Sequence, residues 1–388
     1  MVKLGIEQLL AAPPAWMKDK KLGLLCNQAS TNSLFHHSRD LINASFPGNL
    51  TCLFTPQHGF FCEKQDNMIE SNHACDSVTG LPVFSLYGEA REPSREMFDH
   101  IDILLVDIVD VGTRVYTFMY TLAYCLEAAA RWGKKVVVLD RPNPVGGELI
   151  EGNLVEDEYR SFVGLYPIPM RHGLTFGELG HLFNRHFEIG ADYDVILMDG
   201  WQRQMYYNDT DLPWLFPSPN MPKESTAVVY PGQVIWEGTN ISEGRGTTLP
   251  FEIFGAPFLD CEKLAKTVNI KCLTGCVLRP LVFQPTSNKW AGEDCQGFEL
   301  HVTDRAVFRP YRTSLALLQA IAQLYPDQFQ LKPPPYEYEY EKQPLDMILG
   351  SQSIRKAVLD GADIIELEAT WKRELDEFDT IRQSFLLY

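Results

Sequence analysis

Residues 101–140 read IDILLVDIVDVGTRVYTFMYTLAYCLEAAARWGKKVVVLD, and this stretch decides the fold class. Ile103–Val106 and Val136–Leu139 are apolar at every position, the pattern of strands covered on both faces. Between them, Tyr116–Trp132 carries apolar residues at helical spacing, and Gly133 stands where a helix C-cap belongs. Strand, helix and strand in this order make a βαβ unit. Working outward, Lys21–Cys26, Leu50–Phe54, Leu81–Leu86 and Tyr193–Met198 read as further strands, beside Ile101–Asp107 and Lys135–Leu139. The expectation is an α/β protein whose first domain, residues 1–200, is a Rossmann-like, doubly wound, mostly parallel sheet. The first strand is followed by LCNQAST rather than a GxGxxG turn, which argues against dinucleotide binding.

Beyond Trp201 the texture changes. LPWLFPSPNMPKESTAVVYPGQ holds five prolines in 22 residues and reads as a long ordered linker. Strand-like runs at Cys276–Phe283 and Gly297–Val302 then alternate with helical patterns at Thr313–Leu324 and Gln352–Asp360. Residues 201–388 are therefore read as the linker and a smaller α/β C-terminal domain. The terminal WKRELDEFDTIRQSFLLY is amphipathic and is expected to pack on that domain. PPPYEYEYEK, residues 333–342, reads as a surface loop.

Composition narrows the function. The chain has 388 residues, 45% of them hydrophobic and 22% charged, which is too apolar for disorder. Its net charge of −17 argues against general binding to nucleic acid or anionic membranes, which needs a cationic face, and leaves room for a local basic pocket. No apolar run approaches the ~20 residues of a bilayer span. The N-terminus does not read as a secretory signal, and nine cysteines without CxxC spacing fit reduced thiols, so a cytoplasmic location is expected.

In open α/β sheets ligands sit at the carboxyl ends of the strands. Those ends here are polar. TPQHGF offers Gln57 and His58; DIVDVGTRVYT offers Asp110, Arg114 and Tyr116; DRPNP offers Asp140 and Arg141. Asp110 reads equally as a helix cap, and Asp140–Arg141 as a loop-fixing ion pair. In MRHGLTFGEL, Thr175 and Glu178 form a capping box, leaving Arg171 and His172 unexplained. EGTNISEGRGTT places Glu237, Asn240, Glu243 and Arg245 in a glycine-rich loop where backbone N–H groups and a guanidinium could meet an anion. It lacks the lysine of a P-loop. No metal-ligand spacing and no GxSxG elbow occurs, which weighs against a phosphoesterase or serine hydrolase.

Taken together and in order, PQHGF, LYG, DVGTRVYT, DRPNP, MRHGLTFGEL, PSPNMP, YPG, EGTNISEGRGTTLPFEIFGAP and KWAGEDCQGF resemble the NamZ-type exo-β-N-acetylmuramidases, glycoside hydrolases of family 171. The resemblance runs from about Leu4 to the C-terminus. It implies release of terminal N-acetylmuramic acid (MurNAc) from the non-reducing end of peptidoglycan fragments, in a cleft between the two domains, with no metal or nucleotide cofactor. The partner it implies is a MurNAc-terminated muropeptide. On this reading Glu237, Glu243, His58 and Asp110 are the candidate catalytic residues, with Glu237 and Glu243 as the leading carboxylates. Gln57, Arg114, Tyr116, Asp140, Arg141, Arg171, His172, Asn240 and Arg245 are the candidate substrate-binding residues, the arginines for the lactyl carboxylate. Relatives often carry Glu where this chain has Gln57, and a carboxamide cannot act as acid or base. Two readings follow: an active muramidase in which Gln57 positions the sugar, or an inactive sugar-binding protein on the same fold.

Overall fold

The computed structural model describes residues 1–65, 68–88 and 91–388. Ten strands are described: β1 Leu22–Leu25, β2 Leu50–Thr55, β3 Ala74–Cys75, β4 Pro82–Ser85, β5 Ile103–Val106, β6 Lys135–Leu139, β7 Asp192–Ile196, β8 Ile253–Ala256, β9 Cys276–Phe283 and β10 Cys295–Val302. The first seven form one sheet in the order β3-β4-β2-β1-β5-β6-β7. All its pairings are parallel except that of the short edge strand β3 with β4. Without β3, the parallel strands run 3-2-1-4-5-6 in chain order, the Rossmann arrangement. Connections from β1 therefore leave toward both edges, and the order reverses between β1 and β5, opening a crevice at their carboxyl ends.

Leu22–Leu25 and Ile103–Val106 are buried at every position, as their uninterrupted apolar runs predict. The helix Phe118–Trp132 joins β5 to β6, burying ten of its 15 residues and ending on Gly133 in the left-handed conformation. The remaining strands make a three-stranded antiparallel sheet, β8-β10-β9, packed with the helix Pro310–Leu324 and its neighbours.

Two parts of the second half differ from the sequence reading. The proline-rich stretch, read as linker throughout, is irregular only as far as Lys223; Glu224–Gln233 is a helix with Pro231 in its last turn. Proline there forfeits one hydrogen bond, and the chain tightens directly into a 3-10 turn over Val234–Gly238. The C-terminal segment also reaches further than expected. Its helix Lys372–Gln383 packs through Trp371 and Phe378, but Arg382 Nη1 bonds the Gly147 and Gly173 carbonyls. Tyr388 then donates to Asp140 Oδ2 at 2.8 Å and accepts from Met198 N–H. The tail thus straps the second half of the chain onto the first.

Burial lifts the Asp140 carboxyl from its ordinary 3.8 to about 6, against the hydrogen bonds from Gly177, Thr175 and Tyr388. The folded chain holds this proton more tightly than the unfolded one, so this group's contribution to stability falls as pH rises from about 4 to about 6. Removing the tyrosine hydroxyl costs most when Asp140 is ionised. Tyr388→Phe is expected to cost about 1.5 kcal/mol above pH 7 and less below pH 5, read by urea unfolding at the two pH values. Equal costs at both would contradict the assignment.

Candidate active site

Three strand ends build one wall. Past β2, the chain turns sharply at His58 and Gly59, with φ of +74° and +82°. This turn tucks Gln57 and His58 inward, and His58 Nδ1 lies 2.7 Å from the Lys64 carbonyl oxygen. Past β4 comes Tyr87, which backs Gln57 and Glu337 through hydrogen bonds, and past β5 come Tyr116 and Thr117. The opposite wall comes from the second half: Ser218, Asn220 and Met221 of PSPNMP, Tyr230 of YPG, Glu237, Arg245 and Phe251. The roof is Tyr336 and Glu337. The enclosed space is small, about 30 Å3, room for a water or two.

Glu237 and Arg245 form the electrostatic centre. Arg245 Nη2 donates to Glu237 Oε1 at 2.5 Å, and its Nε lies 3.3 Å from Glu243 Oε1. Gly244 and Gly246 make this geometry possible, with φ of +78° and +79°; a Cβ on Gly246 would sit 2.4 Å from the Ser287 carbonyl oxygen. Arg245 Nη1 is buried and has no hydrogen-bond partner among the described residues. Burial pushes the Glu237 carboxyl up, but Arg245, the Tyr336 hydroxyl at 2.6 Å and Lys332 outweigh it and hold it below its ordinary range. Glu237 is therefore ionised at neutral pH.

A second carboxyl faces this cavity. Glu337 accepts from Tyr87 Oη at 2.7 Å and from Gln57 Nε2 at 3.3 Å. Gln57 is fixed in turn: its Oε1 accepts from Thr117 Oγ1 at 2.6 Å, and Nε2 also donates to Tyr87 Oη at 3.1 Å. Burial, reinforced by the negative charge of Glu237, raises the Glu337 carboxyl above its usual value against the hydrogen bonds from Tyr87 and Gln57. The two carboxyls are thus pushed in opposite directions, the pattern that separates an acid from a base in one site. The stretch 333–342 is a loop with most of its residues exposed or half-buried, but Tyr336 and Glu337 turn inward, only 4% and 3% exposed.

Of the residues singled out in the sequence, Gln57, His58, Tyr116, Glu237 and Arg245 line this cavity. Glu243 stands one layer behind, pairing with Arg245 and with Lys289 Nζ at 2.7 Å. The others lie elsewhere, each with structural bonds. Arg114 is wholly buried and donates to the carbonyls of Asn153, Ile168 and Ile348. Asp140 fastens the helix Phe176–His181 through Thr175 and Gly177, besides Tyr388. Arg141 pairs with Asp107, not with Asp140. Arg171 bonds the Val145 carbonyl and Tyr206 Oη at 2.9 Å. Asp110 closes a turn onto Gly112 N–H and faces His172 Nε2 at 3.4 Å. Asn240 clamps the backbone at Gln328 and Gln330. Thr175 and Glu178 form the expected capping box.

Asn240→Ala, which removes two of those backbone bonds at a half-exposed position, is accordingly expected to cost about 1–2 kcal/mol in stability and leave KM unchanged. A rise in KM without loss of stability would return Asn240 to the binding residues.

Known proteins share this framework. The family model described as exo-beta-N-acetylmuramidase NamZ, N-terminal, matches residues 22–225, and its C-terminal counterpart matches residues 228–388. The chain belongs to the NamZ exo-β-N-acetylmuramidase family. A NamZ relative from Bacillus subtilis (strain 168), named peptidoglycan beta-N-acetylmuramidase, is 43% identical over 387 residues, covering 100% of this chain and 91% of the relative. Two crystal structures of DUF1343 family proteins from Bacteroides fragilis NCTC 9343 are also similar. One has a TM-score of 0.89 at 34% identity and the other 0.77 at 29%, each over 100% of this chain and 99% of theirs. The fold expected for a NamZ member, a mostly parallel sheet domain with a smaller second domain, is the one observed.

Within this NamZ framework, sequence reasoning missed Glu337 and Tyr336, which lie in a biased stretch, and Tyr87, Thr117, Ser218, Asn220 and Tyr230. Five of these seven sit in quoted motifs: LYG for Tyr87, DVGTRVYT for Thr117, PSPNMP for Ser218 and Asn220, and YPG for Tyr230.

Proposed function

We propose that the chain is an exo-β-N-acetylmuramidase that hydrolyses the glycosidic bond of a non-reducing terminal MurNAc. The observation that carries this reading is the Glu237–Arg245 pair on the cavity wall, in a chain matched from end to end by a relative named for that activity. Ionised Glu237 supplies the carboxylate that hydrolysis needs on the sugar, either to stabilise positive charge at C1 or to receive a proton from water. Arg245 Nη1, buried and without a hydrogen-bond partner among the described residues, supplies donors for the lactyl carboxylate that sets MurNAc apart from N-acetylglucosamine. Tyr116, Tyr230 and Phe251, packed edge to face, make the wall beside this pair aromatic.

The proposed substrates are MurNAc-terminated muropeptides, and the proposed location is the cytoplasm, where such fragments are recycled. All nine cysteines are free, which suits a reducing compartment. No helix among the described residues is long and apolar enough to cross a membrane.

Comparing chromogenic glycosides of MurNAc and N-acetylglucosamine tests the lactyl contact. Cleavage of the MurNAc glycoside at least ~100-fold faster is expected, since a site built for an ionic partner rejects a ligand lacking it. Comparable rates on both would refute the assignment of Arg245.

A further inference from the structure

Residues 333–342 bring to the cavity a carboxyl that lies 280 positions from Gln57 in the chain. We infer that Glu337 is the carboxylic acid that protonates the departing glycosidic oxygen, with Tyr87 and Gln57 as its positioning residues. This rests on the muramidase reading above.

The geometry suits the role. Tyr87 Oη accepts from Gln57 Nε2 and from Met68 N–H, so its own proton goes to Glu337 Oε2. Among the described residues, the hydrogen bond at Glu337 Oε1 is the longer one from Gln57, and this is the oxygen left to carry a proton toward the cavity. Gln57 cannot take that proton, and Glu237 is held ionised by Arg245, so Glu337 is the acid available among the cavity-lining carboxyls. The backbone is bent to deliver it. Glu337 and Tyr338 both have positive φ, +45° and +65°, a conformation side-chain-bearing residues rarely adopt and one that persists where function uses it. Arg91 clamps the bend, with its guanidinium 4.4 Å from the ring centres of both Tyr338 and Phe162.

In the step itself, the proton on Glu337 passes to the glycosidic oxygen as the C1–O bond breaks, and the bonding pair leaves with that oxygen as an alcohol. Water supplies the hydroxyl that ends on C1. Its remaining proton restores the acid, so one glycoside and one water give free MurNAc and one alcohol.

Among the described residues, Tyr87, Arg91, Glu237, Tyr230, Tyr336 and Tyr338 are titratable or charged groups that bear on Glu337, and His58 and Arg245 stand on the same cavity wall. Since the Glu337 carboxyl is raised and the Glu237 carboxyl lowered, activity rises as Glu237 ionises below the usual glutamate range. It then falls as Glu337 loses its proton above that range.

The test compares two leaving groups. Against MurNAc-GlcNAc, whose alcohol needs a proton to leave, Glu337→Gln is expected to lose about 100-fold or more in kcat/KM. Against a nitrophenyl MurNAc glycoside, whose leaving group departs unprotonated, it should lose only a few-fold, which also shows that the variant is folded. Adding Gln57→Glu to that variant places a carboxyl against the same space and should restore turnover of the disaccharide at least tenfold. Tyr87→Phe removes a donor to the ionised form and should move the alkaline limb up by about one pH unit. Equal losses on both glycosides, or no loss, with the alkaline limb unmoved in Tyr87→Phe, overturn the role of Glu337 while leaving the muramidase reading intact. A wild-type protein that cleaves neither glycoside overturns both.

Discussion

Glu237→Gln is expected to lower kcat for MurNAc release by about 1,000-fold, with folding and MurNAc binding retained. The substitution is nearly isosteric. The amide oxygen can still accept from Arg245 or Tyr336, and Arg245 keeps its second carboxylate, Glu243. What disappears is the negative charge that Arg245 and Tyr336 hold at the cavity wall. An interaction made chiefly in the transition state shows as a fall in kcat and kcat/KM together, with the dissociation constant for MurNAc nearly unchanged. Steady-state kinetics on MurNAc-GlcNAc and calorimetric titration with MurNAc separate the two. A variant with a tenth or more of wild-type turnover would remove Glu237 from the chemistry.

Arg114→Met is expected to destabilise the fold by about 3 kcal/mol or more without altering KM in the protein that remains folded. Arg114 touches no part of the cavity. Its guanidinium, buried without a carboxylate partner among the described residues, satisfies three carbonyls that belong to separate segments, including Ile348 in the second half of the chain. Methionine fills comparable space but leaves all three acceptors orphaned in a dry interior. Burial pushes the Arg114 pKa down, yet a guanidinium remains charged across the accessible range. Urea unfolding together with KM on MurNAc-GlcNAc decides the matter. Unchanged stability with a raised KM would place Arg114 at the substrate after all.

These two residues also mark how far the sequence is legible. The apolar runs at β1, β5 and β6 and the intervening helix fixed the sheet because burial on both faces leaves a pattern in consecutive residues. The strand-end rule then pointed to Gln57, His58 and Tyr116, which do line the cavity. The same rule pointed equally to Arg114, Asp140 and Arg141, because a charge after a strand looks alike whether it meets a ligand, a carbonyl or another side chain. Only the fold shows that Arg141 meets Asp107 and that Asp140 meets the last residue of the chain. Glu337 illustrates the converse. A tyrosine- and glutamate-rich stretch after three prolines has no periodicity, and its position over the cavity depends on contacts with Tyr87 and Gln57 some 250 and 280 residues away. Long-range placement of that kind leaves no local trace in the sequence. The helix Glu224–Gln233 was hidden for a simpler reason, since its proline lies in the last turn, where it ends the helix without preventing it.

The most direct test of the central claim is to incubate the purified protein with MurNAc-GlcNAc and, separately, with the reversed disaccharide GlcNAc-MurNAc, following free MurNAc by mass spectrometry. Release of MurNAc from the first and none from the second is expected, the signature of an exo-acting muramidase that works with glutamine at position 57. Release from neither, by a folded protein that still binds MurNAc, would contradict it and leave a sugar-binding protein built on the muramidase fold.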